Sequence, residues 1–154
     1  MKTIKFLMPL ICALIFSCSQ KSELTDADKK QVEKEILEVM DEFTPALREP
    51  MDPEKFFNLF IQTDEIAVAT GGSLLKSPSA VLDTVKVTMA AIQKQVTKNV
   101  DDKIYVITKD AAIISSSKIV TVTLKSGEEY TLPAAFTVFW VKKEGKWKIV
   151  HCHN

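Results

Sequence analysis

The apolar positions of the chain keep two different periods, and the change from one to the other divides it. Between Thr25 and Leu47, the residues Val32, Ile36, Val39, Met40, Phe43 and Leu47 recur at three- and four-residue spacing, the mark of one buried helical face. Thr25 stands where it can cap the N-terminus, and Asp26 and Asp28 fall in the first turn, where the helix dipole favours negative charge. Pro45 is placed to bend the end of this helix and Pro50 to close it. A second, shorter helix is announced by Asp52 as cap and Pro53 at the first helical position, with Phe56, Phe57 and Phe60 to bury. "EIAVAT", "GGS" and "LLK" then read as a strand, a turn and a returning strand. Ser77-Pro78 opens a third helix, with Val81, Leu82, Val85, Met89 and Ile92 on its apolar face.

After Lys98 the period drops to two. Four β-prone stretches follow, Asp101 to Thr108, Ala111 to Lys125, Glu129 to Lys143 and Lys146 to the end, parted by turn signals at Lys109-Asp110, Ser126-Gly127 and Glu144-Gly145. Helices first and a meander after is an α+β pattern. The expected architecture is three N-terminal helices packed on a strongly curved, mostly antiparallel sheet, a cone with one open end. At 154 residues and 46% hydrophobic content, the chain has enough apolar material for one domain with a real core. Its formal net charge is zero and it carries no basic stripe, which argues against nucleic acid as a partner.

The first residues belong to a different problem. "MKTIKFLMPLICALIFSCSQ" has Lys2 and Lys5, an apolar run from Phe6 to Phe16 and then small residues, the layout of a secretory signal too short for a permanent membrane span. Within it "IFSC", Ile15 to Cys18, resembles a bacterial lipobox; the alternative is an ordinary cleaved signal. The lipobox implies residues 1–17 as signal peptide, Cys18 as the lipidated N-terminus of an 18–24 tether, and 25–154 as the domain. The protein would then lie in the bacterial cell envelope, held by lipid on the periplasmic side or at the cell surface, with acyl chains that stabilise the anchor by ~0.8 kcal/mol per buried methylene. Losing Lys2 and Lys5 leaves 18 basic against 20 acidic residues, a net charge of −2. Cys12 departs with the signal and Cys18 is consumed, so Cys152 remains alone and no internal disulfide can form.

The order of elements, together with "FTVFWVKKEGKWKIVHCH", resembles the NTF2-like superfamily, more narrowly SnoaL-like domains and the association domain of calcium/calmodulin-dependent protein kinase. The resemblance runs from Thr25 onward and is most specific between Trp140 and His153. It implies a conical pocket and a homodimer formed through the outer face of the sheet. In the kinase domain three arginines line a carboxylate-binding pocket, and the matching positions here are Lys118, Val138 and Asn154. One cation with an amide makes a weaker anion site than three arginines.

Strand alternation supplies the other candidates. Along the last strand Trp147, Ile149, His151 and His153 share one face, and Lys148, Val150 and Cys152 the other. The resemblance puts the pocket on the side of Val150 and Cys152 and the two histidines on the outer side, near the dimer face. A metal at His151 and His153 lacks a third ligand, and Cys152 as a nucleophile lacks a base on its own face. Lys118 interrupts a stretch from Ala111 to Leu124 that is otherwise free of charge, sharing a face with Ser116, Val120 and Val122. It is either an anchor for an anionic group or a lysine that snorkels to solvent. The pocket is therefore expected to have Lys118 and Asn154 at its polar end and Phe57, Val138, Val150 and Cys152 as walls, taking a small, mostly apolar ligand, with or without an anionic group, and no cofactor or metal. The alternatives are a dimeric interaction module, or an isomerase, cyclase or dehydratase. For such an enzyme Asp64, Glu65, Tyr105 and Tyr130 are candidates, but none falls in a motif that gives it a role, and no carboxylate is assigned to the interior.

Overall fold

The computed structural model describes residues 23–43, 47 and 51–154. The signal, the lipobox with Cys18, Pro45 and Pro50 lie outside the described residues. The first helix, α1 (Asp26–Phe43), starts where its caps dictate. The Asp28 N–H donates to Thr25 Oγ1 and the Thr25 N–H to Asp28 Oδ2, both at 3.1 Å, a reciprocal cap with aspartate in the third position. Asp52 and Pro53 open α2 (Pro53–Phe57), Asp52 Oδ1 accepting from the Lys55 N–H at 2.8 Å. After the hairpin β1 (Ala67–Thr70) and β2 (Ser73–Leu75), Ser77 caps α3 (Pro78–Ala91) through the Ala80 N–H.

α3 gives way to β3 (Ile92–Thr108) without a loop. Ile92, expected on the apolar face of the third helix, is instead extended and pairs with Leu124. A β-branched residue with a strand partner does better extended than as one more helical turn. β4 (Ala111–Leu124), β5 (Glu129–Lys143) and β6 (Lys146–His153) complete a six-stranded sheet in the order β2-β1-β6-β5-β4-β3. All its pairs are antiparallel except β1 with β6. The β5–β6 turn has positive φ at both Glu144 (51°) and Gly145 (76°), the twist that a two-residue hairpin needs.

Register arranges the helix-covered face of the sheet into rows. The deepest holds Val106, Ala112, Trp140 and Ile149; the next holds Ile104, Ile114, Val138 and Cys152, with Val68 beyond. Val32 and Ile36 of α1, Phe57, Phe60, Ile66 and Val81 close over these rows to make the core. Burying each of Ile36, Ile66, Ile114 and Val81 stabilises the fold by about 1.5–3 kcal/mol.

The final strand does not alternate as simply as its sequence implies. Phe139 pairs with His151 and Trp140 with Ile149, so Val150 is an extra residue on β6. The bulge moves Trp147 and Ile149 to the core side together with Cys152, and separates them from His151 and His153, with which alternation had grouped them. The histidines face outward, opposite Phe139 and Thr137.

Candidate functional site

Above the two apolar rows the helix-covered face turns polar. Asp102 of β3 lies opposite Ser116 of β4, which lies opposite Phe136 of β5. One row further out, Asn99, Lys118 and Ala134 stand side by side. A bulge between Asn99 and Asp101 brings Asn99 and Asp102 to the same face although three positions separate them. The Asn99 amide donates to Asp102 Oδ2 at 2.6 Å.

Lys118 points inward. Its side chain is 13% exposed, its ammonium lies 5.5 Å from the centre of the Phe136 ring, and its Nζ is 4.0 Å from Asp102 Oδ1. That separation is an ion pair but too long for a hydrogen bond. Among the described residues, Asp102 Oδ1 is buried and receives no hydrogen bond, and the hydroxyl of Ser116, a residue only 5% exposed, has no partner either. Buried polar atoms are nearly always satisfied, and an unsatisfied one costs about 1–3 kcal/mol. Two on one row, beside a lysine whose nearest carboxylate oxygen is 4.0 Å away, form a polar patch without a complete set of protein partners.

The other expected pocket residues fall into two groups. Val138 and Phe57 are buried and Val150 and Cys152 pack on the core; of the four, register puts Val138 and Cys152 in the apolar row beneath the patch. Burial pushes the Cys152 thiol up to about 11, which keeps it protonated and unreactive. Asn154 is exposed at the strand end, where its N–H donates to the Ala69 carbonyl at 3.2 Å. Asp64, Glu65, Tyr105 and Tyr130 are all exposed, and Glu65 pairs with Lys143 at 3.6 Å. The interior carboxylate is Asp102 instead. Its signal was present in the sequence: alternation carried back from Val106 and Ile104 lands on Asp102.

Two hollows lie away from Asp102 and Lys118, and they differ in character. On the outer face of the sheet a trough of about 460 Å³ runs over Lys103, Ser115, Ser117, Thr137 and His153, and Asn154, expected at the polar end of the inner pocket, lines it too. Tyr105, Ile107 and Ile119 are exposed on the same face. A second hollow, of about 390 Å³, lies between α1 and the β5–β6 hairpin. Beside it Glu35 Oε2 accepts from Lys142 Nζ at 2.6 Å and from Trp147 Nε1 at 2.8 Å. Among the described residues no group of three or more His, Cys, Asp or Glu side chains is placed to hold a metal ion.

Residues 32–154 match the family described as calcium/calmodulin dependent protein kinase II association domain. None of the curated proteins matches the chain in sequence. Among solved structures it is similar to the association domain of C. elegans CaMKII, at 22% identity over 84% of this chain and 98% of that one, with a TM-score of 0.65. It is similar also to a nuclear transport factor 2 (NTF2-like) superfamily protein from Salmonella enterica serovar Typhimurium, at 21% identity over 81% and 90% of the two chains, TM-score 0.71. A third likeness is to the hexachlorocyclohexane dehydrochlorinase LinA-type3 from Novosphingobium barchaimii, at 14% identity over 84% and 88%, TM-score 0.66. At these identities the likenesses to solved structures establish the NTF2-like fold.

Proposed function

This chain belongs to the calcium/calmodulin dependent protein kinase II association domain family, and from that premise we propose that it is a lipid-anchored envelope protein binding a small, mostly apolar ligand on the helix-covered face of its sheet. The observation that carries this reading is the polar patch of Asp102, Ser116 and Lys118 above an apolar floor, with two buried oxygens left unbonded. Ligand sites combine an apolar wall with a few convergent polar groups in this way. Anchoring is through Cys18, on the strength of the "IFSC" segment and the apolar run before it. The protein pairs as a homodimer through the outer face, where Tyr105, Ile107 and Ile119 are exposed.

One observation favours a second reading, an enzyme of proton transfer. Asp102 is an interior carboxylate with a free oxygen, and Ser116 and Lys118 stand next to it as donors for developing negative charge. One of the similar structures is a dehydrochlorinase. Turnover abolished by Asp102→Asn would establish it.

Native mass spectrometry of the full chain, extracted in detergent from a bacterial host, tests the first reading. The expected species is a dimer whose N-terminus is an acylated Cys18 and whose mass includes a small molecule absent from the Lys118→Ala variant. An unacylated N-terminus would reject the anchor. A dimer with the same bound mass in both proteins would reject the patch as the ligand's polar contact.

A further inference from the structure

We propose that the gap between Asp102 and Lys118 is built for a single uncharged hydroxyl group, so that the ligand is an alcohol or phenol on an apolar body and not a carboxylate. This rests on the reading of the patch as a ligand site. The two facing atoms, Asp102 Oδ1 and Lys118 Nζ, are an acceptor and a donor 4.0 Å apart. One oxygen at about 2.8 Å from each would subtend roughly 90° between them, close to the range that a hydroxyl adopts when it accepts from one side and donates to the other. The ligand hydroxyl takes a hydrogen bond from the Lys118 ammonium and gives its own proton to Asp102 Oδ1. It thereby satisfies the one carboxylate oxygen that Asn99 leaves free.

Other head groups fit less well. A ketone could accept from Lys118 but has nothing to donate to Asp102, and would leave that oxygen unbonded. A carboxylate would bring a second negative charge against a buried carboxylate oxygen. The cluster is already neutral, one cation against one anion, so it offers no net attraction to an ion of either sign. The surroundings suit the rest of such a molecule. Ala134 is the small residue beside Lys118, Phe136 presents its ring, and the row beneath is Ile104, Ile114 and Val138. The Ser116 hydroxyl, opposite Asp102, remains to bond the same oxygen from below.

The test uses three probes of one shape: 4-ethylphenol, 4-ethylbenzoate and ethylbenzene. Each is titrated into the isotope-labelled full chain in detergent, with free probe measured from its own resonances. The reporter is the Asn99 side-chain amide, identified by its loss in Asn99→Ser. The expected result is that 4-ethylphenol binds at least about tenfold more tightly than 4-ethylbenzoate and several-fold more tightly than ethylbenzene. In Asp102→Asn, where Lys118 is left without its anion, the order of phenol and benzoate reverses. Benzoate binding as well as phenol to the unsubstituted protein overturns the hydroxyl assignment while leaving a ligand site in place. An unchanged order in Asp102→Asn overturns the role of Asp102. No movement of the Asn99 amide with any of the three removes the ligand site itself. The ranking in the unsubstituted protein decides the question even where the variant fails to fold.

Discussion

The protein contains two half-buried lysine–carboxylate pairs on the same side of its sheet, and they are built to opposite standards. At the β5–β6 hairpin, Glu35 holds Lys142 at 2.6 Å and the Trp147 indole at 2.8 Å, with Gln31 donating at 3.0 Å from the same helix. Every oxygen of that carboxylate has a donor. On the polar patch, Asp102 and Lys118 stand 4.0 Å apart, and one carboxylate oxygen has none. The first pair ties α1 to strands more than 100 positions away in sequence. The second joins two neighbouring strands that a long ladder already holds together. A pair that closes the fold is bonded to completion; one that the fold does not need is left open, and such openness is what a site for something else requires.

The largest expected effect comes from breaking the complete pair. Glu35→Ala strands Lys142 and the Trp147 N–H, and should lower stability by about 2–3 kcal/mol, read as a shift in urea midpoint at unchanged slope. The open pair should respond in the other direction. Replacing both partners together, Asp102→Leu with Lys118→Met, removes two half-buried charges that are imperfectly matched. The double variant should be neutral or up to about 2 kcal/mol more stable, while losing the ligand. A loss comparable to that of Glu35→Ala would show that both pairs are structural and would end the contrast.

Most of the architecture was legible from period and caps. Thr25, Asp52 and Ser77 each begin a helix where a short polar side chain followed by an acid or a proline said it should. What could not be read were the places where a ladder gains one residue. Val150 is extra on β6, and that alone reverses the relation of Trp147 and Ile149 to the two histidines. A second irregularity lies between Asn99 and Asp101 and turns Asn99 and Asp102 onto one face. Strict alternation has no means of placing a bulge, because the cause is pairing with a strand distant in sequence. Lys118 was conspicuous as a charge in an uncharged strand. Asp102 was not, because it follows another aspartate at what looks like a strand's solvated beginning. The polar patch is a product of register.

The complete pair carries a pH signature. The hydrogen bond from Lys142, then those from Gln31 and Trp147, hold the Glu35 carboxyl at about 2, below its ordinary 4.5. A depressed carboxylate binds fewer protons folded than unfolded, so its contribution is fully present above about 4.5 and is lost as pH falls through 2. With solvent screening this should be on the order of 1–2 kcal/mol. Stability measured between pH 5 and 2 should fall less steeply in Glu35→Gln than in the unsubstituted protein. Equal slopes would mean that the carboxylate titrates alike in folded and unfolded chains, and that its three donors contribute no preference for the charged form.

The smallest effect concerns the floor of the patch. Burial raises the Cys152 thiol from 9.0 to about 11, because the charged thiolate is disfavoured away from water. Here the folded chain binds more protons than the unfolded one, so the contribution to stability is intact below about 9 and fades as pH rises towards 11. The same burial sets the rate of alkylation. At pH 8 the folded protein should react with iodoacetamide many-fold more slowly than the urea-unfolded chain, and a bound phenol above Cys152 should slow it further. Alkylation at the unfolded rate would place Cys152 in solvent and take away the apolar floor on which a ligand body has to rest. Slow alkylation that 4-ethylphenol does not change would confine that ligand to the Asp102–Lys118 row, with its body lying along Phe136 rather than down towards Val138.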